Sequence, residues 1–277
     1  MSAANLCRRC ATLAVLTAIL WLAACANSGR FGTAAPAAAN ETKDRVTASD
    51  EPEASKRARV RLDLASAYFG RGQMTVALDE VKQAIAVDPN VAAAFNLRGL
   101  IYASLGDDRL AEESFRRALQ LDTQDADSMQ NYAWYLCQKT RFAEANAMFE
   151  QALSVPKYRD APRTLLAQGV CLARAGQWAD AERTLQRAYE LDPANPSTTV
   201  NLAEVLYRRG EHERARFFIR RVNGSADVAN AQTLWLAARI ENRLGNQQGV
   251  EDLGNQLRNR FPQSRETTAF ERRQFDD

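Results

Sequence analysis

One imidazole and five thiols are the side chains of this 277-residue chain with the most scope for chemistry. The single histidine, His212, argues against a histidine-built metal site and against a Ser–His–Asp relay, because each needs imidazole in a constrained place. It stands between Glu211 and Glu213, just after a glycine, where a solvated surface side chain is expected. Six arginines, at 208, 209, 214, 216, 220 and 221, could meet phosphate, but the acids around them read as pairing partners along a helix surface. Lipid headgroups are a minor alternative for this cluster. With 36 Lys and Arg against 34 Asp and Glu, the chain carries no electrostatic footprint for nucleic acid. There is no glycine-rich phosphate loop, no metal-spaced Cys/His set and no nucleophile beside a base, so neither an enzyme nor a cofactor or metal is expected.

Cys25 is a different matter. Arg8 and Arg9 precede an apolar run, Ala11 to Ala24, too short for a comfortable membrane span and ended abruptly, which is the anatomy of a signal peptide. The run closes in Leu22-Ala23-Ala24-Cys25, which resembles the bacterial lipobox. That resemblance implies removal of residues 1–24 and a mature protein that begins at lipidated Cys25, with Ala26 in place of Asp implying the outer membrane. One acyl chain binds only marginally, so stable attachment requires the several chains that such processing adds. Loss of Arg8 and Arg9 leaves the mature charge balanced. Two later thiols, Cys137 and Cys171, could pair in an oxidising periplasm, yet they fall at different positions of neighbouring helices, which argues against a disulfide.

The elements that carry these residues follow from composition and period. From residue 25 to about 55 the chain is rich in Ala, Thr, Asn, Ser, Asp, Glu and Pro with no apolar period, a tether with a reach of about 30 Å. Beyond it, segments that start at Ala58, Ala92, Ala126, Pro162, Pro196 and Ala231 repeat at 34 to 36 residues, and each reads as helix, turn, helix. First helices place Leu64, Ala65 and Tyr68, then Phe95, Gly99 and Tyr102, then Leu165, Gly169 and Leu172 on one face. Second helices contribute Ala77, Val81 and Ala84, with matching sets around Phe115, Phe149 and Leu185. Small residues such as Gly99, Ala111 and Ala118 let helices approach until a ring fills the gap. Glycines 72, 106, 176, 210 and 245 fall where a helix must stop in a left-handed conformation.

This pattern resembles the tetratricopeptide repeat over residues 56–262, which implies an all-α superhelix of about six repeats followed by a tail at 263–277. The sixth repeat is the weakest, with Val250 and Gly254 at core positions, as suits a cap. In such a stack the first helices line the concave face, which would present Leu62, Phe69, Asn96, Leu100, Gln130, Trp134, Leu166 and Val170 as a partner-binding groove. Its middle is apolar and lacks the fixed donors that a carboxylate needs, so it suits the apolar stripe of a partner. The alternative is that the C-terminal repeats curl inward and bury these side chains. In this register Tyr132 and Leu136 pack, whereas Trp134 does not.

The third segment reads Asn131-Tyr132-Ala133-Trp134-Tyr135-Leu136-Cys137, followed by Arg141-Phe142-Ala143-Glu144-Ala145. It resembles the characteristic stretch of the type IV pilus biogenesis and stability lipoproteins, the pilotins of the pilus secretin, with Ala133 and Tyr135 as conservative departures. The resemblance implies a monomer held by lipid on the periplasmic face of the outer membrane, which binds secretin subunits and promotes their localisation and multimerisation. A different class, an envelope repeat lipoprotein that scaffolds or regulates cell-wall enzymes, is the competing reading.

Overall fold

The computed structural model describes residues 52–275, and among these every regular element is an α-helix. Six antiparallel pairs follow one another: α1 (Glu53–Gly70) with α2 (Met74–Val87), α3 (Ala92–Leu105) with α4 (Asp108–Leu121), and α5 (Ala126–Gln138) with α6 (Phe142–Ser154). Then come α7 (Ala161–Arg174) with α8 (Trp178–Leu191), α9 (Pro196–Arg208) with α10 (His212–Asn223), and α11 (Ala231–Arg243) with α12 (Gln247–Arg260). Each odd-numbered helix also touches the next odd one, so the first helices of the pairs form a continuous inner layer.

The alternation of small and large residues builds the pairs. Ala77, Val81, Ala84, Ala111, Phe115, Ala118, Ala145, Phe149, Ala152, Ala181, Leu185 and Ala188 are all fully buried. Gly99 receives the Phe115 ring and Gly169 receives Leu185, so the missing side chain on one helix is the socket for its partner. Polar side chains close the helix starts: Asp107 accepts from the Leu110 amide, Asn195 from those of Ser197 and Thr198, and Asn230 forms a reciprocal capping box with Thr233. The turns use left-handed backbone, with Gly106 at φ +80° and Gly72, Gly176, Gly210 and Gly245 similarly placed. The third pair has no glycine there, and Thr140 takes φ +60° instead.

Four sequence expectations are corrected. The tether does not run to residue 55: α1 starts at Glu53, and Ser55 donates from its hydroxyl to Asp88, 2.7 Å away at the foot of α2, which ties the extra turn down. Leu64 does not pack, since it is 39% exposed. At the same repeat position stand Arg98, half-buried, and Tyr132, Gln168, Leu202 and Ala237, all buried, each with a preceding helix pair that Leu64 lacks among the described residues. The stretch after 263 is not only a tail, because it contains α13 (Arg265–Glu271), whose Phe270 ring fills the space over Gly254. Cys137 and Cys171 form a disulfide, with Cα atoms 5.8 Å apart. α5 and α7 are in direct contact, and they meet where two different repeat positions face each other, so a bridge does not require equal positions.

Candidate functional site

The inner layer places the eight groove residues as follows. Leu62 and Phe69 are half-buried against the core between α1 and α2, and Leu166 lies against the core that joins α8, α9 and α10. Leu100 and Trp134 pack against a shared core of Phe115, Tyr132, Leu136 and Phe149, so the structure does bring these two together. Trp134 therefore contributes to packing, contrary to the register that left it out. Asn96 accepts a hydrogen bond from Asn131, 3.3 Å away on the next first helix, a polar neighbour that periodicity alone does not single out. Val170 is half-buried. Gln130, expected on the open face, is only 8% exposed, and its Oε1 has no hydrogen-bond partner. The face is thus apolar in its middle but largely occupied by its own packing.

Large exposed apolar side chains lie elsewhere. Among the described residues Val60, Leu64 and Val76 belong to the first helix pair, with Val60 65% exposed, while Leu105, Trp178, Leu191 and Phe217 stand singly on later helices. Val60 and Leu64 are one turn apart on α1; the positions that repeat Val60, Ala94 and Ser128, are fully buried, and those that repeat Leu64 are half-buried Arg98 and buried Tyr132. The outer face of α1 is therefore a stacking surface on which no helix of the described residues is stacked.

Carboxylates clamp successive pairs. Glu112 accepts from the Tyr132 hydroxyl at 3.0 Å and from Arg141 and Arg116 at 2.8 and 2.5 Å. Burial opposes its charge, but the hydrogen bonds from Arg141 and Tyr132 and the positive charges of Arg116 and Arg141 outweigh it and hold the carboxyl below its ordinary range. Beside it, burial together with the charges of Asp108 and Glu112 pushes the Tyr135 hydroxyl up to about 12, so it stays a donor, to the Asp108 carbonyl. The arginine-rich stretch is used in the same way: Glu182 holds Arg209 and Arg214, and buried Glu241 holds Arg216 and Arg220. Arg208 pairs with Glu204, and Arg221 lies over the Tyr189 ring. The expected helix-surface pairing is present, extended to partners in neighbouring repeats.

His212 is not the solvated residue expected. It is half-buried, 5.5 Å from the Tyr207 ring, and its Nδ1 is buried without a hydrogen-bond partner. A cleft of about 730 Å³ between α3 and α4 is lined by Arg98, Arg109, Arg116 and Arg117 with Glu112 and Glu113, and Arg98 and Arg117 flank the Phe95 ring there. No group of metal-ligating side chains occurs among the described residues, and no helix among them is long and apolar enough to cross a membrane. Cys25 lies outside the described residues.

Set beside known proteins, the chain matches models of the tetratricopeptide repeat at residues 62–126, 133–196 and 172–239. It is 24% identical to the type IV pilus assembly protein PilF of Pseudomonas aeruginosa over 76% of this chain and 83% of that one. The crystal structure of PilW, described as a widely conserved type IV pilus biogenesis factor, superposes with a TM-score of 0.71 at 30% identity, covering 76% of this chain and 97% of PilW. A solved structure of Pseudomonas aeruginosa PilF gives a TM-score of 0.70 at 23% identity, over 80% of this chain and all of that one.

Proposed function

From a chain that belongs to the tetratricopeptide-repeat family and is related to the type IV pilus biogenesis factors PilF and PilW, we propose a non-enzymatic lipoprotein that binds subunits of the pilus secretin and promotes their multimerisation at the outer membrane. The observation that carries this reading is the 30% identity to PilW over 97% of its length. The Leu-Ala-Ala-Cys sequence supports attachment through Cys25 to the periplasmic face of that membrane. For docking, the exposed face of α1 suits an apolar stripe of the secretin better than the middle of the groove does. Leu100 and Trp134 are engaged by the core, whereas Val60 and Leu64 hold apolar surface out to water.

The test is made in cells that assemble pili. Cys25→Ser should leave the protein without fatty-acid label and outside the outer-membrane fraction. Val60→Glu with Leu64→Glu should leave it lipidated and folded, yet with the secretin largely monomeric on unboiled immunoblots, because docking would bury two charges without partners. Normal secretin multimers with this pair of substitutions would move docking away from α1. Capture of cell-wall enzymes in place of secretin by the solubilised protein would replace the reading with an envelope scaffold.

A further inference from the structure

A recurring side-chain contact joins the middle helix pairs. Glu112, the residue after the buried Ala111, accepts from the Tyr132 hydroxyl of the next first helix at 3.0 Å. Asn146, the residue after Ala145, accepts from Gln168 at 2.9 Å, and Glu150, one turn further on, accepts from the same side-chain amide. Tyr132 and Gln168 share one repeat position, which in the second pair is held by Arg98. Before Arg98 the repeat puts Leu78 after Ala77, and Lys82 one turn further on. The acceptor that closes the two following junctions thus has no counterpart at the first, where a cation stands in place of a neutral donor.

Arg98 is nevertheless firmly held. It is half-buried, and its Nε donates at 2.9 Å to the hydroxyl oxygen of Ser114, a fully buried residue whose own proton goes to the Leu110 carbonyl. Its guanidinium stands 4.8 Å from the centroid of the Phe95 ring, and that of Arg117, on α4, stands 5.7 Å from the same centroid. Both line the cleft of about 730 Å³ between α3 and α4. The two acids of that cleft are engaged by other groups, Glu112 by Tyr132, Arg116 and Arg141, and Glu113 by Arg109. Neither Arg98 nor Arg117 pairs with a carboxylate among the described residues. Elsewhere one carboxylate holds two arginines, as Glu182 holds Arg209 and Arg214, and Glu241 holds Arg216 and Arg220.

We infer that the cleft between α3 and α4 binds a carboxylate side chain from an acidic segment of a partner protein, with Arg98 and Arg117 as the groups that hold it. Such a carboxylate does for these two arginines what Glu182 and Glu241 do for theirs. Arg98 spends only its Nε–H on Ser114, so its terminal nitrogens keep their donors for a contact with two parallel hydrogen bonds. A guanidinium already held on an aromatic ring loses less freedom on meeting its ligand than a lysine would. Exposed Lys82 adds a further positive charge at this junction. The site uses none of the exposed α1 residues and does not depend on which protein supplies the segment.

The test uses the full-length protein in detergent and a fluorescent peptide, Gly-Glu-Glu-Leu-Glu-Glu-Gly, followed by anisotropy at low salt. Arg98→Gln, which installs the residue that the fourth pair carries at this position, and Arg117→Gln should each weaken binding by about tenfold or more. Arg109→Gln, whose partner is Glu113, should change it by less than about twofold. A peptide with glutamine in place of each glutamate should not bind. Lys82→Glu supplies from within the chain the carboxylate that Glu150 supplies in the third pair. It should raise the unfolding midpoint by about 1–3 °C and weaken peptide binding by about tenfold. No binding to the unsubstituted protein, binding unchanged by Arg98→Gln and Arg117→Gln, or equal losses from all three arginine variants overturn the site. An unaltered midpoint or unaltered binding with Lys82→Glu does the same. Displacement of the peptide by glycerol phosphate at a lower concentration than by glutarate would make the cleft a site for lipid headgroups and overturn the acidic segment.

Discussion

A β-carbon on Gly99 would stand 2.8 Å from two carbons of the Phe115 ring, so the second helix pair closes only because residue 99 has no side chain. Gly99→Leu is therefore expected to destabilise the protein by about 1–3 kcal/mol, since overpacking outweighs the roughly 1 kcal/mol that a better helix former returns. Urea unfolding followed by circular dichroism checks this. Trimming the ring with Phe115→Leu in the same chain should recover part of the loss, and an unshifted curve for Gly99→Leu would refute the proposed socket.

The Cys137–Cys171 bridge closes a loop between the third and fourth pairs, with a sequence separation of 34. Its loss by Cys137→Ala with Cys171→Ala should cost about 2–4 kcal/mol. Adding a reductant to the parent protein should lower its unfolding midpoint towards that of the variant, and a midpoint indifferent to reductant would count against the bridge.

Glu112 has a pH signature. Its carboxyl is held below the ordinary value of 4.5 in the folded protein, so its contribution is present above that value and is lost as pH falls through the lower folded one. Glu112→Gln should cost about 1–2 kcal/mol at neutral pH, because Tyr132 and Arg141 lose a charged acceptor. The gap between the two proteins should narrow below about pH 4.5, and a gap constant from pH 7 to pH 3 would exclude the ionised clamp.

Thr140 is the one left-handed residue in the first-to-second-helix turns that is not glycine. Because a β-branched side chain is disfavoured there, Thr140→Gly should stabilise by about 1 kcal/mol. The Thr140 hydroxyl bonds only to the neighbouring Lys139 carbonyl at an exposed site, so little is lost with it. A rise in the unfolding midpoint is the expected result.

The repeat itself was legible because it is written in short-range terms. Ala111, Phe115 and Ala118 recur with their glycine or alanine partners at a fixed spacing, and both members of each socket lie within one pair. Most of what escaped depended on contacts between pairs. The meeting of Cys137 with Cys171 requires the approach of α5 to α7, and the exposure of Leu64 requires that no described helix pair precedes α1; the partial burial of His212 arises within one pair, against Tyr207 across the turn. Phe270 lies beyond the last repeat period, and the glycine that receives it, Gly254, reads in the sequence as a degenerate core position. The groove was half legible: its apolar character is real, but Leu100 and Trp134 are partly consumed by packing that no single helix displays.

The open face of α1 has a consequence for how this molecule can be extended. Phe270 blocks the far end of the stack, where an incoming helix pair would have to sit, while Val60 and Leu64 leave the near end shaped for one. Growth by stacking is thus polar, like a chain of bricks with a single free stud. A helical hairpin or amphipathic helix from a partner would continue the helical array in only one direction, at the α1 end.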